Sequence, residues 1–231
     1  MSWAIFALMP LVSFTPPQSG VSKVSMTMVS RKAQKGQLIT LRSEIFYRND
    51  GRMVTRFTHP YEMITVNNAK GDLMVYNPKL NSVAKEYNYI YSSETSALYY
   101  FLKDNSNELG LRSLGFKLSK SSFENGYMIT IWDAPFEYTK SFKNVELVYK
   151  DNKPVFMKFN DMKSNPVKKT YFYNYRKVAG ANFPTTITNV YYNAPGDSVV
   201  EKVTYDNILF NENTSSPYFD YTIPADAKTV K

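Results

Sequence analysis

From residue 38 onward apolar and polar residues alternate at a spacing of two, interrupted by turn signals roughly every eight to ten residues. Few architectures accommodate that pattern. Within residues 38–47, Ile39, Leu41, Ile45 and Tyr47 fall on one side and Thr40, Arg42 and Glu44 on the other, the mark of an antiparallel strand buried on one face. Asn49, Asp50 and Gly51 follow, three residues that tolerate the positive φ of a hairpin turn. Strands are then expected over 53–58, 63–66 and 73–76, separated by the polar turn 67–72 and closed by Asn77-Pro78-Lys79. Further strands are expected over 127–132, 145–150, 155–159, 170–175, 185–192, 199–205 and 218–223. Val24, Met26 and Met28 alternate in the same way within 21–30. The fold class implied is mainly β with a few helices (α+β): a single large curved antiparallel sheet, or half-open β-barrel, of about 10–11 strands.

One stretch breaks the period. Residues 92–102 begin with serines and Glu94, the residue types that cap and open a helix, and carry Leu98, Phe101 and Leu102 at helical spacing. A looser apolar run continues through Leu109, Leu111, Leu114 and Phe116. A sheet of this size curls, and its concave face must be covered. The short helix is the expected lid. Either side chains fill the space beneath it or an apolar cavity remains.

The inventory of reactive groups closes off much chemistry. The chain has no Cys and a single His, His59, which excludes disulfides, zinc–thiolate sites, Cys nucleophiles and multi-His metal centres. No cofactor is expected. His59 before Pro60 reads as a strand-end residue, and Asp133 and Glu137 as solvated carboxylates and not a glycosidase pair. The net charge of +8 is spread in small groups such as Lys168 and Lys169, without a block of like charges. That distribution fits a solvated face better than a nucleic-acid groove. Lys23 is the first charged residue, after an apolar run through Phe14 and a Pro16-Pro17 pair. Residues 1–20 are therefore expected to be a signal peptide or an unstructured N-terminus, and 21–231 one exported, soluble domain.

Residues 56–78 have an order of features with a known counterpart. A strand is followed by Pro60 with Glu62 soon after, an apolar strand, a polar turn, and a second apolar strand ending in Tyr76-Asn77-Pro78. This order resembles the periplasmic lipoprotein carrier (LolA-like) family. The aromatic-rich run 218–223 followed by Pro224 and Ala225 resembles that family's closing segment, and Phe183-Pro184 sits where it tends to place Pro at a strand start. Two features depart from the family. Residues 21–30 read as a strand where it has an amphipathic helix. Its lid-locking Arg precedes a Pro, whereas Arg48 and Arg52 do not.

The resemblance implies a non-enzymatic periplasmic carrier that holds acyl chains of lipoproteins or lipids in a hydrophobic cavity. It would take them from an inner-membrane donor to an outer-membrane acceptor, as a monomer and without nucleic acid. An envelope sensor or scaffold of the same fold is the alternative. The cavity wall is expected to comprise Met53, Phe57, Ile64 and Val66 from the first strands, and Ile129, Ile131, Leu147, Tyr149, Met157 and Phe159 from the later ones. The lid would supply Leu98, Tyr99, Phe101 and Leu102. Each buried CH₂ contributes about 0.8 kcal/mol, so a carrier that must release its cargo should grip through contact area, without polar locks.

Overall fold

The computed structural model describes residues 20–88, 91–103, 106–139, 141–194 and 197–230. The expected signal segment lies outside them, apart from Gly20. One curved, open sheet of 14 strands runs through the described residues. In chain order they are β1 (Lys23–Gln34), β2 (Gln37–Arg48), β3 (Met53–His59), β4 (Met63–Asn67), β5 (Asp72–Asn77), β6 (Ser82–Tyr87), β7 (Lys117–Glu124) and β8 (Tyr127–Asp133). They continue as β9 (Asn144–Lys150), β10 (Lys153–Asn160), β11 (Pro166–Val178), β12 (Ala181–Ala194), β13 (Asp197–Phe210) and β14 (Lys228–Val230). Across the sheet the order is β14-β6-β5-β4-β3-β2-β1-β13-β12-β11-β10-β9-β8-β7. Two meanders, β2 to β6 and β7 to β13, are thus joined where β1 pairs with β13. All neighbours are antiparallel except β14, which lies parallel to β6.

The fold class matches the sequence reading, and the strand count exceeds it. The additional strands are β6, β7 and β14. Strand β7 is exposed at seven of its eight positions on the sheet edge, so it has no apolar face for alternation to reveal. The expected strand over 218–223 is absent: Pro217–Asp220 is a 3₁₀ turn, and the chain beyond it runs to β14 without joining a ladder before Lys228.

The curvature comes from strand twist and from bulges. Ladders shift register between Ser25 and Thr27, Arg42 and Ser43, Leu118 and Lys120, and Phe159 and Asn160. As a result, Tyr47 on β2, Leu147 on β9 and Phe172 on β11 belong to one buried cluster with the only α-helix of the described residues, α1 (Ala97–Leu102). This cluster defines the inner face.

The outer face of β2 to β6 carries a second cluster of Phe46, Val54, Ile64, Val66, Tyr76 and Val83, covered by Phe219 from the C-terminal segment. Phe46 stacks on Tyr218 at 5.2 Å and meets Phe219 edge-on at 5.6 Å. The Arg56 guanidinium lies 5.4 Å over the Tyr218 ring and pairs with Glu44 at 3.3 Å and Glu62 at 3.1 Å. Arg48 pairs with Asp50 and Asp220, and Arg52 donates to the Tyr221 carbonyl. The two arginines nearest in sequence to a lid latch thus clasp the C-terminal segment.

Burial of the aromatic ring dominates this clasp, because exposed ion pairs contribute little. Phe219→Ala is expected to lower stability by about 3–5 kcal/mol. Glu62→Gln, which removes one exposed partner of Arg56, should cost under about 1 kcal/mol. Urea unfolding of the two variants measures the difference directly.

Candidate functional site: a lidded apolar cavity

The lid segment leaves the sheet after β6 and returns at β7. The Ser92 hydroxyl accepts from the Glu94 N–H at 3.2 Å, and the Ser96 hydroxyl caps α1 by accepting from the Tyr99 N–H at 3.2 Å. Six residues are too few for a helix to persist on propensity alone. Packing holds it in place. Phe101 is 1% exposed, with its ring 5.4 Å from Phe172, 6.2 Å from Phe183 and 6.3 Å from Tyr175.

Hydrogen bonds tie the lid at both ends. Ser93 donates to the Gly51 carbonyl at 2.6 Å and Ser92 to the Ala69 carbonyl at 2.7 Å. Gly51 has φ +86°, and a Cβ there would lie 2.6 Å from the Ala69 Cβ, so only glycine fits this foot of the lid. At the other end the Tyr149 hydroxyl donates to the Asn107 carbonyl, and Phe116 stacks on Tyr138 at 6.0 Å.

Beneath α1 the inner face is filled by Phe101, Leu98 and Leu102. Beside it a cavity of about 290 Å³ remains. Its roof is Tyr100, Leu109, Leu111 and Leu114 of the lid. Its floor takes Met157 and Phe159 from β10, Lys168, Thr170 and Phe172 from β11, Ile187 and Asn189 from β12, and Val203 and Tyr205 from β13. Each strand contributes alternate residues, as a pleated wall must.

A polar row crosses this floor. Thr170 donates to the Asn189 side-chain carbonyl at 2.9 Å, the Asn189 amide reaches Glu201 at 3.5 Å, and Ser30 donates to the other Glu201 oxygen at 2.8 Å. Lys168 stands in the part of the floor nearest the β10–β11 turn. Its ammonium lies 5.2 Å from the Tyr191 ring and 5.9 Å from that of Phe159. Burial lowers the Lys168 pKa below the ordinary lysine value, and the Glu201 charge only partly opposes this. Burial, assisted by Glu201, pushes the Tyr205 hydroxyl up to about 12.

The residues expected to line a cavity separate into four groups. Met157 and Phe159 line it. Met53, Leu98, Tyr99, Phe101, Leu102, Leu147 and Tyr149 belong to the packed cluster on the same face. Phe57, paired with Ser43, shares that face by register but lies outside the cluster.

The other four point away. Ile64 and Val66 are buried on the outer face under the C-terminal segment. Ile129 and Ile131 pair with Val148 and Glu146 on the outer face, while Thr130 and Trp132 turn inward. Apolar character cannot tell these faces apart, because β4 is covered on its outer side and β8 carries isoleucine there. The roof leucines and the β11 to β13 wall were missed as site residues. The signal for the wall was the spacing of Lys168, Thr170 and Phe172, with a lysine at the first position.

A second recess, of about 710 Å³, opens at the β11–β12 turn end. Small and polar residues such as Gly20, Ser22, Asn49, Gly180 and Asn211 line it, so it offers little to an apolar ligand. Among the described residues no group of three or more His, Cys, Asp or Glu is placed to hold a metal, and no helix is long and apolar enough to cross a membrane.

No family model and no curated protein sequence matches the chain. Solved structures do. A LolA superfamily protein from Nitrosomonas europaea superposes with a TM-score of 0.56 at 10% identity, covering 83% of this chain and 87% of that one. The protein has the LolA-like fold. A DUF1329 family protein from Desulfovibrio piger gives 0.57 at 13% identity, over 86% of this chain and 90% of that one. A domain assigned to outer membrane lipoprotein sorting in Vibrio parahaemolyticus gives 0.57 at 14%, over 88% and 91%.

Tyrosines raised by burial make the LolA-like core sensitive to base. The Tyr205 phenol is held neutral well past its ordinary value of 10.0, and burial also raises Tyr47, Tyr149 and Tyr175. For a raised pKa the stabilisation is complete below the unfolded value and is lost as pH climbs through the folded one. Stability in urea should therefore fall between about pH 10 and 12, and Tyr205→Phe should recover on the order of 2 kcal/mol of that loss. Absorbance at 295 nm should show these phenols ionising together with unfolding.

Proposed function

We propose that this protein is a non-enzymatic carrier that binds an acyl chain of a lipoprotein or lipid in the lidded cavity, in the periplasm, for delivery toward the outer membrane. The observation that carries this reading is the apolar space between the leucine-rich lid and the inner wall of a LolA-like sheet. A packed core would have closed it. That the same architecture serves a domain assigned to lipoprotein sorting supports the reading.

The size of the cavity bounds the grip. At about 290 Å³ it lies at the lower end of ordinary ligand pockets and suits one chain, not two or three. About ten buried methylenes would contribute about 8 kcal/mol, near micromolar affinity. That strength permits release to a better acceptor. The roof contributes Leu109, Leu111 and Leu114 from a segment with little regular structure, so bulkier cargo would displace it at low cost compared with unpairing strands.

The protein recovered from the periplasmic fraction is expected to carry acyl lipid detectable by native mass spectrometry. Ile187→Trp fills the cavity floor from β12 and should reduce binding of a fluorescent acyl probe at least tenfold, with an unchanged β-sheet spectrum. Val203→Phe tests the same space from the neighbouring strand. Full binding by both variants would sink the proposal. A wild-type protein that binds no acyl ligand would instead favour the scaffold role.

A further inference from the structure

Lys168 is a cation that the fold half-buries and does not neutralise. Among the described residues no carboxylate lies within 4 Å of its ammonium, which rests against the Phe159 and Tyr191 rings. Removing a charge from water without a partner is costly, and ring faces compensate only in part. The nearby polar groups are occupied with one another: Thr170 with Asn189, and both Glu201 oxygens with Ser30 and Asn189. The Tyr205 hydroxyl lines the same space and has no hydrogen-bond partner among the described residues. Glu201 is the charge that acts on Lys168, and its own cross-strand neighbour on β1 is a second cation, Lys32.

An apolar trough ending in an unneutralised ammonium is complementary to an amphiphile with an anionic head. We propose that Lys168 forms a headgroup site, binding the anionic oxygens of a single-chain amphiphile whose tail occupies the cavity. This deepens the acyl-carrier reading and rests on it. The cavity volume restricts the tail to one chain, and the carboxylate of a fatty acid or the phosphate of a lysophospholipid supplies the same anionic oxygens.

The test is competition against a fluorescent acyl probe by palmitate, by palmitoyl lysophosphatidate and by hexadecanol, which has the same chain length and no charge. Wild-type protein is expected to bind at least one of the two acids about tenfold more tightly than the alcohol, and the tighter acid identifies the head. Lys168→Met should abolish that preference while leaving hexadecanol binding unchanged, and Lys168→Arg should restore it. Equal affinity for acids and alcohol in the wild type, or a preference that survives Lys168→Met, would overturn the headgroup site and leave the acyl cavity standing. Failure of all three ligands to bind would overturn both. Should Lys168→Met not fold, the wild-type ratio and Lys168→Arg still decide.

Discussion

Strand β2 buries three consecutive residues, Ile45, Phe46 and Tyr47. Since neighbours on a strand face opposite ways, the sheet must be covered on both sides at this point. The chain meets the demand with two different devices. On the inner side the lid segment lays Phe101 and its leucines over the curve. On the outer side the C-terminal segment brings Tyr218 and Phe219 onto Phe46. The rest of the arrangement follows from how well each cover fits.

The outer cover fits closely. It is short, aromatic, and tethered by Arg48, Arg52 and Arg56. The inner cover must span the strands from β2 across to β8 with six helical residues and a few turns of irregular chain. It seals the part of the face under α1, and the wall from β10 to β13 is roofed by Tyr100 and three leucines of the irregular segment after the helix. The cavity is thus a consequence of sheet size against lid size. Its polar row and the unpaired Lys168 give it direction, one end oily and the other able to meet a charge. The proposed headgroup site adds this one cation to the area-based grip that the resemblance implied.

Much of the inner face was legible beforehand. Leu147, Tyr149, Met157 and Phe159 alternate on strands whose other face is at most half-buried, and they point inward. The lid was equally legible, because Ser96 and the spacing of Leu98, Phe101 and Leu102 act within one helical turn of each other. Ile64 and Val66 misled because the segment that covers them lies some 150 residues further along the chain. Ile129 and Ile131 misled because Thr130, hydrogen-bonded to the Leu147 carbonyl and accepting from the Trp132 indole, satisfies its hydroxyl inside the core. A polar residue that finds its partners buries as readily as an isoleucine.

Local chemistry alone determined where most of the strands and turns fall and where the helix sits; β6, β7, β14 and the ladder missing over 218–223 were not among them. The placements it determined depend on side-chain period, positive-φ tolerance and capping, all decided within a few residues. Which face became concave, which clasp the arginines serve, how much space the lid leaves and what stands at its edge were decided only by tertiary structure. Those outcomes depend on register across a 14-stranded sheet and on contacts between distant segments, for which a single strand carries no information.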